Sequence, residues 1–284
     1  MTKLCFVLIA FQADHTLESC IRSVQPFGPI VAAEGPVEFW RARGYTESTD
    51  RTNDILDEYH VPTIHGQWSE KVEEANAAIS LVPDDTDYIW CVDADEFWKA
   101  DDIRAVIDLL ETAPVDSMSF KATSFYGGFD RVMTGFEAKF EVHRIQRYTP
   151  GALFSSHRPP TLLAPDGKPW RNHRHVNHET TDEMGWSMFH YSYVFPSQMR
   201  MKADYYAAMG GNIADYFNSV YVPWVTGDSD ERYRIETLHN GVHNWQPVRR
   251  GPCWTERFTG EHPAEIAAAM PVLLDRFNAE VAGL

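Results

Sequence analysis

Short apolar runs alternate with longer amphipathic segments along the chain from Leu4 to Thr112. Apolar runs bounded by polar residues predict strands, whereas apolar positions that recur with a period of 3.6 predict helices. The predicted strands are Leu4–Phe11, Pro29–Ala33, Val61–Ile64 and Tyr88–Val92, and the predicted helices are Leu17–Val24, Asp50–Tyr59, Ser69–Leu81 and Asp102–Thr112. Strict alternation of this kind predicts an α/β fold with a Rossmann-like, doubly wound, mostly parallel sheet.

The pattern changes in the second half of the chain. Ser117–Phe125 and Ala138–Arg147 predict strands, Tyr148–Met188 is rich in loop-forming residues, Met199–Phe217 predicts an amphipathic helix, and Pro263–Ala282 predicts a terminal helix. We therefore divide the chain into a ligand-binding α/β half, residues 1–115, and a second part, residues 116–284, packed with it as one unit. The late aromatic residues Trp224, Trp245, Trp254 and Phe258 are expected to cover the sheet and hold the terminal helix.

Composition limits the class of protein. An apolar content of 44% over 284 residues supports a large core and excludes general disorder. The four cysteines lack metal-binding spacing and are expected to be buried free thiols in a reducing compartment, so we expect a cytoplasmic protein. The apolar run at Leu4–Phe11 is too short to span a membrane.

The formal charge of -16 disfavours a polyanion as the main partner. A nucleic acid acceptor stays an unfavoured alternative, because a loop rich in histidine and arginine lies between Tyr148 and Met188.

The apolar segment Tyr88–Val92 ends abruptly in three carboxylates, Asp93, Asp95 and Glu96. Open α/β sheets bind ligands at the carboxyl ends of their strands, so these acids are candidates for function. Asp93 and Asp95 are two positions apart, and an oxygen-only pair of this kind suits a hard divalent cation. The alternative is that Asp95 and Glu96 cap a helix that begins near Asp101.

Three blocks of the sequence resemble nucleotide-sugar glycosyltransferases of the GT-A fold, in particular family 2-like enzymes. The blocks are the strand Leu4–Ala10, the segment Ser48–Thr52 that opens a helix, and Asp93-Ala94-Asp95 preceded by Ile89–Val92. The resemblance covers about the first hundred residues. It implies that Asp93 approaches the ribose or the metal, and that Asp95 ligates the Mn²⁺ or Mg²⁺ that bridges the donor diphosphate.

The same resemblance places further residues at the donor. Glu34 and Asp50 correspond to positions that hold the nucleobase and ribose, with a solvated loop acid and a helix cap as the respective alternatives. Lys71, with Asn76, lies on the helix that carries basic residues toward the donor, but Glu74-Ala75 stand where the family has an arginine.

From the second half, the resemblance implies that His190 completes the metal site and that Lys202 offsets diphosphate charge. A core histidine and an exposed helix lysine are the respective alternatives.

An inverting enzyme also needs a base to deprotonate the acceptor hydroxyl. Asp182 and Glu179 are the candidates, although acids in a polar loop are often merely solvated, and a retaining enzyme needs no such base. The segments His157–Pro160 and Trp170–His175 are candidates for an acceptor cradle of rings and arginines. The alternatives are a packed surface loop, or a zinc site at His173, His175 and His178.

These features favour a metal-dependent glycosyltransferase that uses a nucleotide-diphosphate sugar, with UDP favoured, and a saccharide or other hydroxylated acceptor. A nucleotidyltransferase is a weaker alternative, since Phe11–His15 offers neither the glycine nor the lysine expected after its first strand. A non-catalytic module that binds nucleotides or sugars is a second alternative.

Overall fold

The computed structural model describes residues 2–211, 213–243 and 251–284, so Trp245 lies outside the described residues. The chain divides into two compact units. Unit 1 comprises Met1–Lys121, Glu141–Ser187 and Pro263–Glu265, and unit 2 comprises Ala122–Phe140, Met188–His262 and Ile266–Leu284. None of the helices within the described ranges is long and apolar enough to cross a membrane.

The strands are numbered in chain order. Strands β1 to β13 span Leu4–Ala10, Ile30–Glu34, Thr63–His65, Tyr88–Asp93, Glu96–Phe97, Ser117–Tyr126, Arg131–Met133, Glu141–Arg147, Phe154–His157, Pro160–Leu162, His175–Val176, Ser187–Tyr193 and Thr255–Arg257. Helices α1 to α10 span Leu17–Val24, Glu38–Arg41, Thr52–Glu58, Lys71–Ile79, Ala100–Thr112, His178–Glu183, Pro196–Ala208, Val222–Thr226, Ser229–His239 and Ala264–Ala282.

Unit 1 is built on a mixed sheet. Strands β3, β2, β1 and β4 are parallel neighbours in that order. Strand β8 pairs antiparallel with β4, the first half of β6 pairs antiparallel with β8, and β11 pairs parallel with β6. The predicted α/β, doubly wound, mostly parallel fold is therefore confirmed.

The strands β1, β2 and β4 are apolar up to the acids that end β2 and β4, because both of their faces are covered. On one face, Ala75, Ala78 and Ile79 of α4 pack against strand residues such as Val7 and Cys91. On the other face, an aromatic cluster fills the core: Trp90 lies 5.6 Å from Phe6, 5.0 Å from Trp98 and 5.6 Å from Phe120, measured between ring centroids. Rigid packing on both faces fixes the ends of these strands.

Unit 2 has its own core, in which helices surround a small antiparallel ladder. Strand β13 pairs with β7, and β7 pairs with the second half of β6. Trp224 is fully buried among Tyr126 and Tyr221, and Phe277 of the terminal helix packs against the same core. The expectation that the late aromatic residues are structural thus holds for Trp224.

Two predicted segments differ clearly from the structure, beyond shifts of one to three residues at other boundaries. The predicted helix Met199–Phe217 begins at Pro196 and ends at Ala208, because Gly210 with φ of 87° takes a left-handed conformation that stops the helix. The span Tyr148–Met188 is more regular than predicted, since it contains the β9–β10 hairpin, β11 and α6.

Candidate active site

Four parallel strands of unit 1 end at one edge of the sheet. Glu34, the last residue of β2, lies in register with Ala10 of β1 and with His65 of β3, and Asp93 of β4 lies in register with Ile9. This carboxyl edge is where an open α/β sheet binds its ligands. The structure therefore places Glu34 and Asp93 on one edge, as the sequence predicts.

Asp93 is the last residue of strand β4, and Asp95 lies in the tight turn that follows it. Strand β4 ends at Asp93, the chain turns at Ala94 and Asp95, and β5 begins at Glu96. The hydroxyl of Thr16 donates to the carbonyl of Ala94 at 2.8 Å and fixes the turn to the start of α1. The Asp93 side chain is 38% exposed, so it is accessible to a ligand.

Glu96 is not a helix cap, which corrects one of the sequence-based alternatives. Helix α5 begins at Ala100 behind Lys99, whereas Glu96 is only 1% exposed. Both Glu96 oxygens accept hydrogen bonds from Arg144 of β8, one of them from Nε at 2.6 Å. Glu96 is thus a buried member of an ion pair and not a solvated acid.

Arg144 joins Glu96 to the acidic motif. Its guanidinium also lies 3.3 Å from the Asp93 carboxylate. Burial raises the pKa of Glu96 to about 7; the Arg144 charge partly offsets this effect, and the Asp93 carboxylate adds to it. The sequence predicts a strand at this position but assigns Arg144 no role. Arg144 stands two positions after the apolar Val142 and so shares its face of the predicted strand, which was the available signal, because charged side chains are rarely buried without a partner.

A cleft opens beside this motif within unit 1. Its volume is about 310 Å³ including open solvent, and its lining residues are Val7, Ile9, Ala75, Cys91, Asp93, Arg144, Phe154, His157 and Pro160. Burial, together with the nearby charge of Lys71, lowers the pKa of His157 to about 3. His157 therefore lines the cleft as a neutral ring at pH 7.

Lys71 and Glu74 contribute charge at the same edge. Burial raises the pKa of Glu74 well above its ordinary value; Lys71 opposes this effect, while Asp93 and Glu34 add to it. Glu74 stands where the resembling family has an arginine, so here that position adds a protonatable carboxyl group and no positive charge. The side chain of Asn76 binds the backbone of Phe154. Its Nδ2 donates to the Phe154 carbonyl at 3.1 Å, and its Oδ1 accepts the Phe154 N–H at 2.7 Å.

The two predicted nucleoside-binding acids organise the loops at the edge. Glu34 is buried; it accepts a hydrogen bond from the backbone N–H of Ser48 at 2.9 Å and lies 3.2 Å from His65 Nδ1. The solvated-loop alternative for Glu34 is therefore wrong. Asp50 accepts hydrogen bonds from the backbone N–H groups of Asp14 and Thr52, at 3.1 and 3.0 Å, so it supports the start of α3.

Residues that the sequence did not single out complete this region. Gln12 has φ of 51°, and its side-chain oxygen accepts the N–H groups of Thr49 and Asp50. The ring of Phe11 lies 5.4 Å from that of Tyr45 and 6.2 Å from that of Trp40, between centroids. These half-buried rings form an aromatic ledge (Phe11, Trp40 and Tyr45) next to the loops that Glu34 and Asp50 support.

The two candidate bases lie on α6 of unit 1. Asn177 caps this helix by accepting the N–H of Thr180 at 3.0 Å, and the hydroxyl of Thr181 donates to the carbonyl of Ser119 at 2.9 Å. Asp182 is exposed and pairs with Lys121 at 3.0 Å, and Glu179 is exposed. The helix is anchored to β6, but the base assignment stays a prediction.

His190 and Lys202 belong to unit 2. His190 Nδ1 lies 3.2 Å from the hydroxyl of Ser124, and Lys202 hydrogen-bonds the hydroxyl of Ser192. Their roles at the metal and the diphosphate stay predictions.

The predicted acceptor cradle is only partly assembled. Arg174 pairs with the buried Asp116 at 2.7 Å, and Arg171 donates to the hydroxyl of Thr161 at 2.6 Å, so both arginines bind protein groups. His173 is exposed and contacts Asp166 at 3.3 Å, so it does not join His175 and His178 as the zinc alternative required. His175 and His178 instead lie beside Glu141, and His143 completes the group.

The chain is similar to one known protein family and to several solved structures. A model of glycosyl transferase family 2 matches residues 5–158, which is slightly more than half of the chain. Among solved structures, S. aureus TarS 1–349 in complex with UDP-GlcNAc is 11% identical, with a TM-score of 0.44, over 84% of this chain and 80% of that chain.

Glucosyl-3-phosphoglycerate synthase from Mycobacterium tuberculosis, in complex with Mn²⁺ and UDP-glucose, is 16% identical with a TM-score of 0.30. The aligned region spans 44% of this chain and 44% of the synthase, less than half of either length. No curated protein sequence matches the chain.

Proposed function

The chain belongs to glycosyl transferase family 2 and is thus a glycosyltransferase; from this premise we propose that it transfers a sugar from a nucleotide-diphosphate donor, with UDP favoured, in a metal-dependent reaction. The acceptor is a saccharide or another hydroxylated molecule. Membership of this family disfavours the nucleotidyltransferase alternative.

One observation carries the proposal: Asp93 ends β4 and Asp95 lies in the fixed turn after it, at the carboxyl edge of the sheet, and Asp93 lines a cleft. Two carboxylates on one turn supply the oxygen ligands that Mn²⁺ and Mg²⁺ prefer. The two carboxylates of unit 1 therefore fit such an ion, with Asp93 and Asp95 as its ligands; the role of His190 stays a prediction of the family resemblance. When bound, the ion supplies positive charge against the departing diphosphate.

The residues of the chain itself position these ligands. Arg144 hydrogen-bonds Glu96 and approaches Asp93, so it restrains the orientation of the Asp93 carboxylate before any ligand binds. Lys71 is the proposed cation toward the phosphates from α4, and Lys202 is proposed for the same purpose. Because Glu74 is protonated more readily than an ordinary glutamate, it adds less negative charge near the diphosphate than an exposed acid does.

The nucleoside is proposed to bind along the edge of β1 and β2. Glu34 and Asp50 accept hydrogen bonds from loop backbone, and these bonds fix the two carboxylates in place. The aromatic ledge provides ring faces on which a base stacks. Because this surface is formed before the nucleoside binds, little binding free energy is lost in ordering the loops.

The acceptor is proposed to lie toward α6. If the reaction inverts the anomeric centre, Asp182 or Glu179 takes the proton of the acceptor hydroxyl, which contributes about 10² to 10⁴ in rate. Asp182 pairs with Lys121 at 3.0 Å, so this ion pair opens when Asp182 takes the proton.

A thermal-shift panel of nucleoside diphosphates and their sugars, with Mn²⁺ or with EDTA, tests the proposal. We expect UDP to raise the Tm only when metal is present, because a ligand that binds the folded state stabilises it by mass action. Asp95→Asn is expected to abolish this shift. Asp84→Asn, at an exposed turn before β4, is the matched control and is expected to keep it.

Donor hydrolysis separates an enzyme from a non-catalytic binding module. We expect slow metal-dependent release of UDP from a UDP-sugar by the wild-type chain, and a loss of this release in Asp95→Asn. Equal metal-independent Tm shifts in the wild type and Asp95→Asn contradict the site assignment, and binding without any hydrolysis or transfer favours the module.

A further inference from the structure

A second group of metal-binding side chains lies in unit 1, apart from Asp93 and Asp95. Glu141, His143 and His175 each offer a ligand atom, and these atoms all lie within 4.8 Å of one another. His178 lies beside this group, with its Nδ1 3.5 Å from Glu141 Oε1. We call these four residues the histidine cluster.

Strand pairing brings the histidine cluster together. Glu141 and His143 are two positions apart on β8, so their side chains share a face of the sheet. Strand β11 pairs in parallel with β6 and places His175 in register with Ser117, and α6 begins with His178 directly afterwards. The next residue on β8 after His143 is Arg144, which pairs with Glu96 and Asp93, so the cluster and the acidic motif use different side chains.

The distances within the histidine cluster are long for hydrogen bonds and suit the shell of an ion. Glu141 Oε2 lies 3.6 Å from His143 Nε2, and Glu141 Oε1 lies 3.4 Å from His175 Nε2. N–H···O hydrogen bonds are usually about 2.7–3.2 Å long. Ligand atoms about 2.0–2.2 Å from a tetrahedral zinc ion are separated from each other by roughly 3.3–3.6 Å.

Neighbouring serine hydroxyls contact the side chains of the histidine cluster, as the groups around the ligands of a bound metal ion do. The hydroxyl of Ser117 lies 2.7 Å from His175 Nδ1, and Nε2 of the same ring lies 3.1 Å from the hydroxyl of Ser119 and 3.4 Å from Glu141 Oε1. The hydroxyl of Ser119 donates to Glu141 Oε1 at 2.6 Å. Partners of this kind fix the tautomer and direction of ligating side chains.

His178 provides an independent observation. Its Nδ1 is buried and makes no hydrogen bond to any residue in the part of the chain that the structure describes. A buried polar atom of this kind carries a desolvation cost unless something satisfies it. A cation bound to Glu141 on the side of His178 satisfies it.

We propose that Glu141, His143, His175 and His178 form a zinc site that ties α6 and β11 to β8. Three imidazoles and one carboxylate match the nitrogen-rich donor set of zinc, whereas Mg²⁺ prefers oxygen ligands alone. The site holds the start of α6, the helix that carries Glu179 and Asp182. It does not depend on the proposed transferase reaction.

Zinc binding to the untagged full chain tests this site. The chain is stripped with a chelator, reloaded with Zn²⁺ and desalted, and its bound zinc is measured by elemental analysis and by competition with a chromogenic chelator. We expect one zinc per chain in the wild type. Glu141→Gln and His175→Asn are each expected to weaken binding by more than about 100-fold, since losing even an outer-shell partner costs about 10- to 100-fold.

Two controls separate this site from the others. His173→Ala changes an exposed histidine of the same loop and is expected to keep full zinc affinity. Asp95→Asn is expected to keep the zinc as well, so failure of the proposed donor site and failure of the zinc site give different results. Zinc that persists unchanged in both Glu141→Gln and His175→Asn, or that is lost in Asp95→Asn, overturns the proposal.

Cobalt provides a readout that needs no variant. Co²⁺ added to the metal-free wild type is expected to give the visible absorption of a tetrahedral ion with nitrogen and oxygen ligands, and Zn²⁺ is expected to displace it. Absence of that absorption, together with substoichiometric zinc in the wild type, overturns the proposal even if the variants fail to fold.

Discussion

Removal of the Arg144 side chain provides the sharpest test of how the candidate active site is held together. In Arg144→Met the buried Glu96 loses both of the hydrogen bonds that the guanidinium donates, and Asp93 loses its contact at 3.3 Å. Breaking a buried ion pair by removing one partner costs about 3–5 kcal/mol, because the other charge stays buried without compensation.

The pH dependence of this cost follows from the Glu96 carboxyl group. Burial raises its pKa from 4.5 to about 7, so the folded state binds the proton more tightly than the unfolded state does. The stability contributed by that proton is complete below pH 4.5 and is lost as the pH rises to about 7, a change of about 3 kcal/mol at 1.36 kcal/mol per pKa unit. Without Arg144 the pKa rises further, and the loss continues to higher pH.

Urea unfolding at two pH values measures the effect. At about pH 5, Glu96 is protonated in both proteins, and we expect Arg144→Met to cost about 1–2 kcal/mol for the lost hydrogen bonds. At about pH 9 we expect about 3–5 kcal/mol. Glu96→Gln introduced into Arg144→Met is expected to remove the pH dependence, because the titrating group is gone.

Arg147→Met is the matched control on the same strand. Arg147 donates to Asp116 at 2.7 Å and to the Val115 carbonyl, but Arg174 pairs with the same carboxylate, so we expect a cost of about 1–2 kcal/mol that does not change with pH. An Arg144→Met cost that is equal at both pH values, or no larger at the higher pH than that of Arg147→Met, refutes the reasoning.

Two further predictions concern Asn76 and two buried cysteines of unit 1. Asn76→Ala is expected to lower the free energy of unfolding by about 2 kcal/mol, because it removes two hydrogen bonds of about 1 kcal/mol each to the Phe154 backbone. Urea unfolding measures the effect, and Asn172→Ala, at an exposed position, is the control. Equal effects of the two substitutions contradict the assignment. Burial raises the pKa of Cys5 and of Cys91 to about 12. At pH 8 we therefore expect neither thiol to react with a disulfide reagent until urea unfolds the chain. Rapid labelling of Cys5 or Cys91 in the native protein contradicts this expectation.

The sequence by itself determined the parts of this protein that depend on local pattern. The apolar runs at β1, β2 and β4 and the 3.6-residue period of α1 and α5 are local properties of the chain, and their boundaries agree with the structure to within two residues. The position of Asp93 follows from the same argument, because the end of a buried parallel strand marks the ligand-binding edge.

Only the tertiary structure decided which distant side chains meet at that edge. Arg144 and Glu96 are 48 positions apart, and His175 and Glu141 are 34 positions apart. Their contacts depend on antiparallel pairing of β8 with β4 and β6, and the register of β6 and β8 shifts between Met118 and Ser119. A shift of one residue changes which face of the sheet a side chain occupies, and no local pattern of apolar and polar residues specifies where such a shift occurs.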